Sequence, residues 1–440
     1  MTKLWNKGYT LNESVENFMT GDDPQIDLRL VKYDAKASIA HALMLNKIGI
    51  LTNVEVNALV DCLNECINLA QTNQFVIKPE DEDVHTALEN YLVSKIGTAG
   101  KKIHTARSRN DQILVALRLY MKHEVVAIAQ RIAQLLKVLI VFAEANCNVP
   151  YAGRTHYQKA MPSSIGLWMG AFIESMLDNV ELLKSAYLII DQSPLGSAAS
   201  YGVNLNIDRE FTAQKLAFAK VQNNVLYANN SRGKFESILL NAFTHIMSDF
   251  SKLATDVILF SAPEMAYLKL PQEFCPGSSL MPNKNNPDPF ELIRAKSAVV
   301  SSNLFQILEI IRALPSGYNR DYQITKQPLF ESCDIVNQTL DVVTILFSKI
   351  TVNREACLAS FSNDVFATDQ VLELVKHGIA FRDAYKQVGT DLSNVKALDP
   401  VENILGKTHI GATGNLNFGL SKQRLEDLNN WLSMKVNGEA

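Results

Sequence analysis

The chain is sparing with the features that mark specialised proteins. It has six cysteines in 440 residues, Cys62, Cys66, Cys147, Cys275, Cys333 and Cys357, and no two of them form a CxxC pair. That spacing supports neither a zinc site nor a redox dithiol, so reduced thiols in a cytoplasmic protein are the expectation. No stretch reaches 18 uninterrupted apolar residues, and no membrane span is expected. The opening Met1-Thr2-Lys3-Leu4-Trp5-Asn6-Lys7 leads into no apolar run of the kind a secretory signal needs. A net charge of −4 offers no bulk attraction to nucleic acid or an anionic membrane, so any anion binding must be local. Low-complexity tracts and short repeats are also missing. What remains, 47% hydrophobic and 20% charged residues, describes a globular chain long enough for two or three domains or one elongated body.

Glycine and proline are absent from residues 112–145, where Ile113, Ala116, Leu117 and Tyr120 recur at three- and four-residue steps. This predicts a long helix ended by Pro150. Similar helices are predicted over 163–191, 231–261, 289–314 and 328–350, with Pro263 and Pro315 as stops. Gly166 and Gly170 would let a neighbouring helix approach closely. Alternation of period two is nearly absent, so the fold class expected is all-α, a long-helix bundle with smaller helical ends. The divisions read as 1–111, 112–362 and 363–440. Apolar stripes broader than one partner helix requires point to oligomerisation. In the first division the chain through residue 34 reads as polar loop, followed by short helices over 35–45 and 54–70. Glu80-Asp81-Glu82-Asp83 reads as a mostly solvated helix start, with His85 one turn further on.

Three polar stretches interrupt this pattern. Gly277-Ser278-Ser279-Leu280-Met281-Pro282-Asn283-Lys284-Asn285-Asn286-Pro287 carries more polar groups than a buried loop could satisfy. Asp288-Pro289 after it reads as a helix start with Asp288 as N-cap. One ammonium, several amides and hydroxyls and a helix N-terminus make a receptor for a carboxylate or phosphate; a plain surface loop is the competing reading. Residues 101–112 are basic, but lack the interleaved aromatics of single-strand binders and are interrupted by Asp111, so a carboxylate receptor is favoured over a nucleic-acid patch. Residues 151–162 read as a polar loop around His156.

The Gly277–Pro287 stretch resembles the signature loop of the fumarase/aspartase superfamily. His104-Thr105-Ala106-Arg107-Ser108-Arg109-Asn110-Asp111-Gln112, Thr155-His156-Tyr157-Gln158 and Tyr318–Phe330 resemble, more narrowly, segments of the argininosuccinate lyase family. Leu4–Gly8 and Asp83–Thr86 stand where that family has similar stretches. The resemblance implies a homotetramer with active sites assembled from three subunits, with no metal, cofactor, nucleic acid or membrane involved. It implies reversible cleavage of argininosuccinate to arginine and fumarate.

Such an elimination removes a proton beside a carboxylate and places two negative charges on one carboxyl group, which needs cations and donors already in place. The resemblance gives the proton abstraction to Ser278 and proton delivery to His156, with Lys284 supporting; the two roles can also be exchanged. It assigns substrate binding to Ser108, Arg109, Asn110, Thr155, His85, Asn286, Tyr318, Gln323 and Lys326, Arg109 facing a substrate carboxylate. Three departures stand out: Ala106 for a usual glycine, Arg154 for a tyrosine, and an altered segment at 18–23 where a serine contact is normally made. The rival readings are a sibling lyase acting on adenylosuccinate, malate or aspartate, and a structural protein built on the same scaffold, as in the lens crystallins.

Overall fold

The computed structural model describes residues 11–439; the Leu4–Gly8 match lies outside the described residues. The principal elements are α1 (Val31–Lys47), α2 (Asn53–Gln71), α3 (Val84–Ile96), α4 (Arg109–Ala145), a hairpin of β1 (Pro150–Thr155) and β2 (Gln158–Ser164), α5 (Ile165–Ile190), α6 (Lys234–Ser261), α7 (Asp288–Ile311), α8 (Lys326–Lys349) and α9 (Phe418–Glu439). The architecture is all-α, as expected.

Helix α4, 37 residues and about 55 Å long, is the spine. It starts at a capping box in which Ser108 accepts from the N–H of Asp111 and Asp111 accepts from that of Ser108. It packs against α1, α5, α8 and α9, while α6 lies along α5 and α7. One continuous core includes Leu117, Ile132, Leu139, Ile173, Phe243, Phe250, Leu329 and Leu340. Alone among the described residues, α4 is long and apolar enough to cross a bilayer, but most of that stretch is buried inside the molecule.

Two buried cations cross-link α4 to the segment between α5 and α6. Arg118 stacks 4.1 Å over the Phe235 ring and donates to Gln192 O, Gln222 Oε1 and Ser231 Oγ at 2.7–2.9 Å. Lys122 meets Asp191 at 2.6 Å and the carbonyl of Ala217 at 2.6 Å. Each has its partners, as a buried charge requires.

Several sequence expectations need correction. The chain before residue 34 is not loop: Glu13–Thr20 is helical, and Leu30 and Val31 are fully buried. The acidic run is not solvated, because Asp81 and Glu82 are buried and Asp81 accepts from Asn90 and from the N–H of Lys78. Residues 151–162 form the antiparallel hairpin rather than a loop. Helix α7 begins at Asp288 itself, with Pro287 as the residue before it and no side-chain cap. Within 363–440, Phe366, Val371, Ala384, Val388 and Val395 form a separate small core. The final helix instead returns to the bundle, where Leu425, Leu428 and Leu432 join the main core.

Gly166 lets the first turn of α5 lie against the end of α4: a Cβ there would lie 2.6 Å from Cys147 Cα and 3.1 Å from the Ala143 carbonyl. Backbone cannot yield as a flexible side chain can. Gly166→Ala is therefore expected to cost about 1–3 kcal/mol by overpacking, read as a lowered urea midpoint; an unchanged midpoint would contradict this packing.

Candidate active site

A cavity of about 120 Å³ opens where the N-terminal segment, the start of α3, the start of α4 and the chain entering α8 converge. It is lined by Asp23, Asp27, Glu82, Asp83, His85, Arg109, Asn110, Ile113, Arg232, Tyr318, Arg320, Gln323 and Lys326. Six of the residues expected from sequence thus meet here: His85, Arg109, Asn110, Tyr318, Gln323 and Lys326.

Charge pairing organises the walls. Lys326 Nζ sits 2.6 Å from Asp27 and 2.9 Å from Asp23. Burial pushes the Asp23 carboxyl up to about 6; Lys326 opposes that rise and Asp27 adds to it. Gln323 donates to the carbonyls of Met19 and Thr20, and Arg320 also reaches Met19 O, tying residues 19–27 to the cavity rim. His85 is buried with Nδ1 2.7 Å from Asp34. Burial disfavours its charged form, yet Asp34, with Asp83 and Asp27 behind it, outweighs burial and raises its pKa. Asp83 caps α3 through the N–H of Thr86. Burial disfavours its charge, but His85 and Arg109 prevail and hold its pKa below the ordinary value.

Arg109 differs from expectation. Its guanidinium is engaged by Asp83 at 2.7 Å and Glu82 at 3.4 Å, so it is not simply free for a substrate carboxylate. Ser108 caps α4 and does not line the cavity.

The remaining expected residues stand elsewhere on this chain. Ser278, Lys284 and Asn286 belong to a projecting loop closed by a bridge between Gly277 and Asn285 and by the N–H of Asn286 on Pro276 O. Leu280 and Lys284 at its tip are exposed. Ser278 Oγ accepts from the N–H groups of Leu280 at 3.3 Å and Met281 at 3.1 Å, an arrangement that favours negative charge on that oxygen. Thr155 and His156 lie at the exposed tip of the hairpin. Thr155 pairs with Gln158, leaving His156 and Tyr157 as a two-residue turn with φ of +53° and +61°. Two consecutive positive φ values suit glycine or asparagine; a His-Tyr turn stores strain, which native chains keep chiefly where function needs it. Arg154 donates to Tyr157 O at 2.9 Å and so braces that turn. Ala106, at φ +61°, shows why glycine is usual at its position.

Sequence reasoning missed Asp23, Asp27, Glu82, Arg232 and Arg320. The spacing of Asp23 and Asp27 by four residues was a usable signal; nothing local singled out Arg232.

The chain is a lyase by family: the sequence model of the lyase family matches residues 16–302. The fold is shared with crystal structures of EDDS lyase in complex with formate (TM-score 0.82, 20% identity, covering 98% of this chain and 94% of that one) and of class II fumarase from Schistosoma mansoni (TM-score 0.73, 18% identity, 87% and 92%). Proteins named argininosuccinate lyase are nearer in sequence. That of Thermotoga neapolitana is 50% identical over 88% of this chain and 97% of its own length. That of Sorangium cellulosum is 38% identical over 96% and 98%. The chain belongs to the argininosuccinate lyase family.

Because the His85 pKa is raised, the pair with Asp34 contributes its full stability below the unfolded value near 6.5 and loses it as pH rises through the folded value. His85→Gln is expected to cost about 3 kcal/mol near pH 6, with a smaller penalty at alkaline pH. Thermal denaturation across that range checks it; a penalty independent of pH would contradict the pairing.

Proposed function

We propose that this chain cleaves argininosuccinate reversibly to arginine and fumarate, the last step of arginine formation. The observation that carries the reading is the cavity around Lys326. It gathers paired cations and carboxylates suited to a zwitterionic substrate, on the segments that resemble the argininosuccinate lyase family. In this reading Ser278 removes the proton beside the carboxylate, helped by the N–H groups of Leu280 and Met281 and by Lys284. His156 hands a proton to the departing nitrogen, and the exchanged assignment uses the same two groups. Asn286 and the N-terminus of α7 add donors for the doubly charged intermediate. Asn110, Thr155, Tyr318, Gln323 and Lys326 hold the substrate.

The same reading has the protein as a cytoplasmic homotetramer whose sites combine the cavity of one subunit with the Ser278 loop and the His156 hairpin of others. Leu292, Val299, Phe305 and Leu308 along α7 are exposed in the single chain, which supports association through the long helices.

Purified protein mixed with argininosuccinate should generate the ultraviolet absorbance of fumarate, while adenylosuccinate, malate and aspartate should not react. Ser278→Ala should lower the rate by about 100-fold or more. Turnover of another of these substrates alone, or an unimpaired Ser278→Ala, would overturn the assignment.

A further inference from the structure

The hairpin that carries His156 is held at its base by side chains from the C-terminal region. It has only two strands, and an isolated two-stranded hairpin is marginally stable. Tyr151 anchors it to the main core, its ring 5.5 Å from that of Phe260 and 5.7 Å from that of Tyr267. Residues 154–159 project beyond that base and are exposed. Short helices at Arg354–Ala359 and Pro400–Leu405 pack against β1, and the second also packs against β2.

Each of these helices ends beside a residue that grips the hairpin. Ser360 is buried, and its Oγ accepts from the Ala152 N–H at 2.9 Å while donating to Cys357 O at 2.6 Å. Lys407 donates from Nζ to the Pro162 carbonyl at 2.9 Å. Ala152 and Pro162 face each other across the hairpin, so both strands are held at one rung. Pro162 has no N–H to add to the ladder, and the register shifts just beyond it, between Ala152 and Arg154. The seat of Lys407 is itself fixed, because Gly414 donates to Lys407 O at 3.0 Å and Thr413 Oγ1 to Ile404 O at 2.6 Å. Ser360 and Lys407 flank, in sequence, the separate small core that runs from Phe366 to Val395.

We propose that Ser360 and Lys407 are positioning residues: acting through the Ala152–Pro162 rung, they set the direction in which the hairpin presents His156. The inference rests on the reading of His156 as a reactive group. His156 follows Ala152 by four residues, about 13 Å along an extended strand. A tilt of about 5° at the rung therefore moves the tip by about 1 Å, and a displacement of that size at a reacting group costs about 100-fold in rate. Neither Ser360 nor Lys407 lines the cavity. Substrate binding there is left alone, so the effect falls on kcat and not on KM.

In the fumarate assay on the full-length enzyme, Lys407→Met and Ser360→Ala should each lower kcat by about 10- to 100-fold while KM stays within about twofold. Lys407→Arg, which can still donate to Pro162 O, should restore most of the lost rate. Melting curves establish that each variant is folded. Mixed oligomers then show which chain Lys407 serves. Co-refolded with Lys326→Met, Lys407→Met should recover up to about one quarter of wild-type activity, as the reference pair of His156→Asn and Lys326→Met does. Co-refolded with His156→Asn, it should gain nothing above its own residual rate. If wild type makes fumarate but the folded variants keep the wild-type kcat, or lose rate through KM alone, this inference fails by itself. Recovery with His156→Asn and none with Lys326→Met would overturn it as well. If the reference pair does not recover, the shared-site reading fails, and the split between kcat and KM with the arginine rescue decides this inference. If wild type makes no fumarate, or His156→Asn is fully active, the functional reading fails with it.

Discussion

Lys326 is clamped between Asp23 at 2.9 Å and Asp27 at 2.6 Å, and the cavity is built around that clamp. An ammonium taken from water into the interior costs several kcal/mol unless opposite charge meets it with good geometry. Here the opposing groups come from the far end of the sequence, so the ion cluster fixes the N-terminal segment against the first turn of α8. Asp27 also accepts from the N–H of Val84, which brings the start of α3 to the same point. His85 then follows one residue later, held by Asp34 of α1. Removing Lys326 would take from Asp27 and the largely buried Asp23 the cation they both contact.

The clamp explains the cavity; the two residues proposed to react, Ser278 and His156, obey a different constraint. Ser278 and His156 sit on exposed projections, one a loop closed on itself, the other a hairpin tip with two residues at positive φ. Neither lines the cavity. A strained, solvent-facing turn braced by Arg154 gains nothing in an isolated chain. It becomes intelligible if the turn is presented to the cavity of another copy, as the proposed tetramer requires.

Much of the fold was legible in the sequence because helix length is local information. Residues 112–145 lack glycine and proline, and the helix runs from Arg109 to Ala145. Gly166 marked a close approach because only backbone fits there. Legibility failed where tertiary contacts override local pattern. Glu80 to Asp83 looked solvated, yet Glu82 and Asp83 face Arg109 across the cavity. The hairpin at 150–164 escaped notice because its turn uses His156-Tyr157 instead of the usual glycine or asparagine. Of the candidate site, the residues in recognisable segments could be named. Arg232 could not, since it acquires meaning only from neighbours distant in sequence such as Tyr322.

The central claim is that cavity and reactive groups belong to different copies of the chain, and mixing inactive variants tests it most directly. Ser278→Ala and Lys326→Met proteins, each expected to be inactive alone, would be co-refolded in equal amounts and assayed with argininosuccinate. If each site takes Lys326 from one subunit and Ser278 from another, random mixing leaves up to about one quarter of sites intact, and activity should return to that level. If one chain supplies both residues to the same site, no mixed oligomer can contain an intact site. A mixture confirmed to contain both variants in one oligomer yet still inactive would contradict the account.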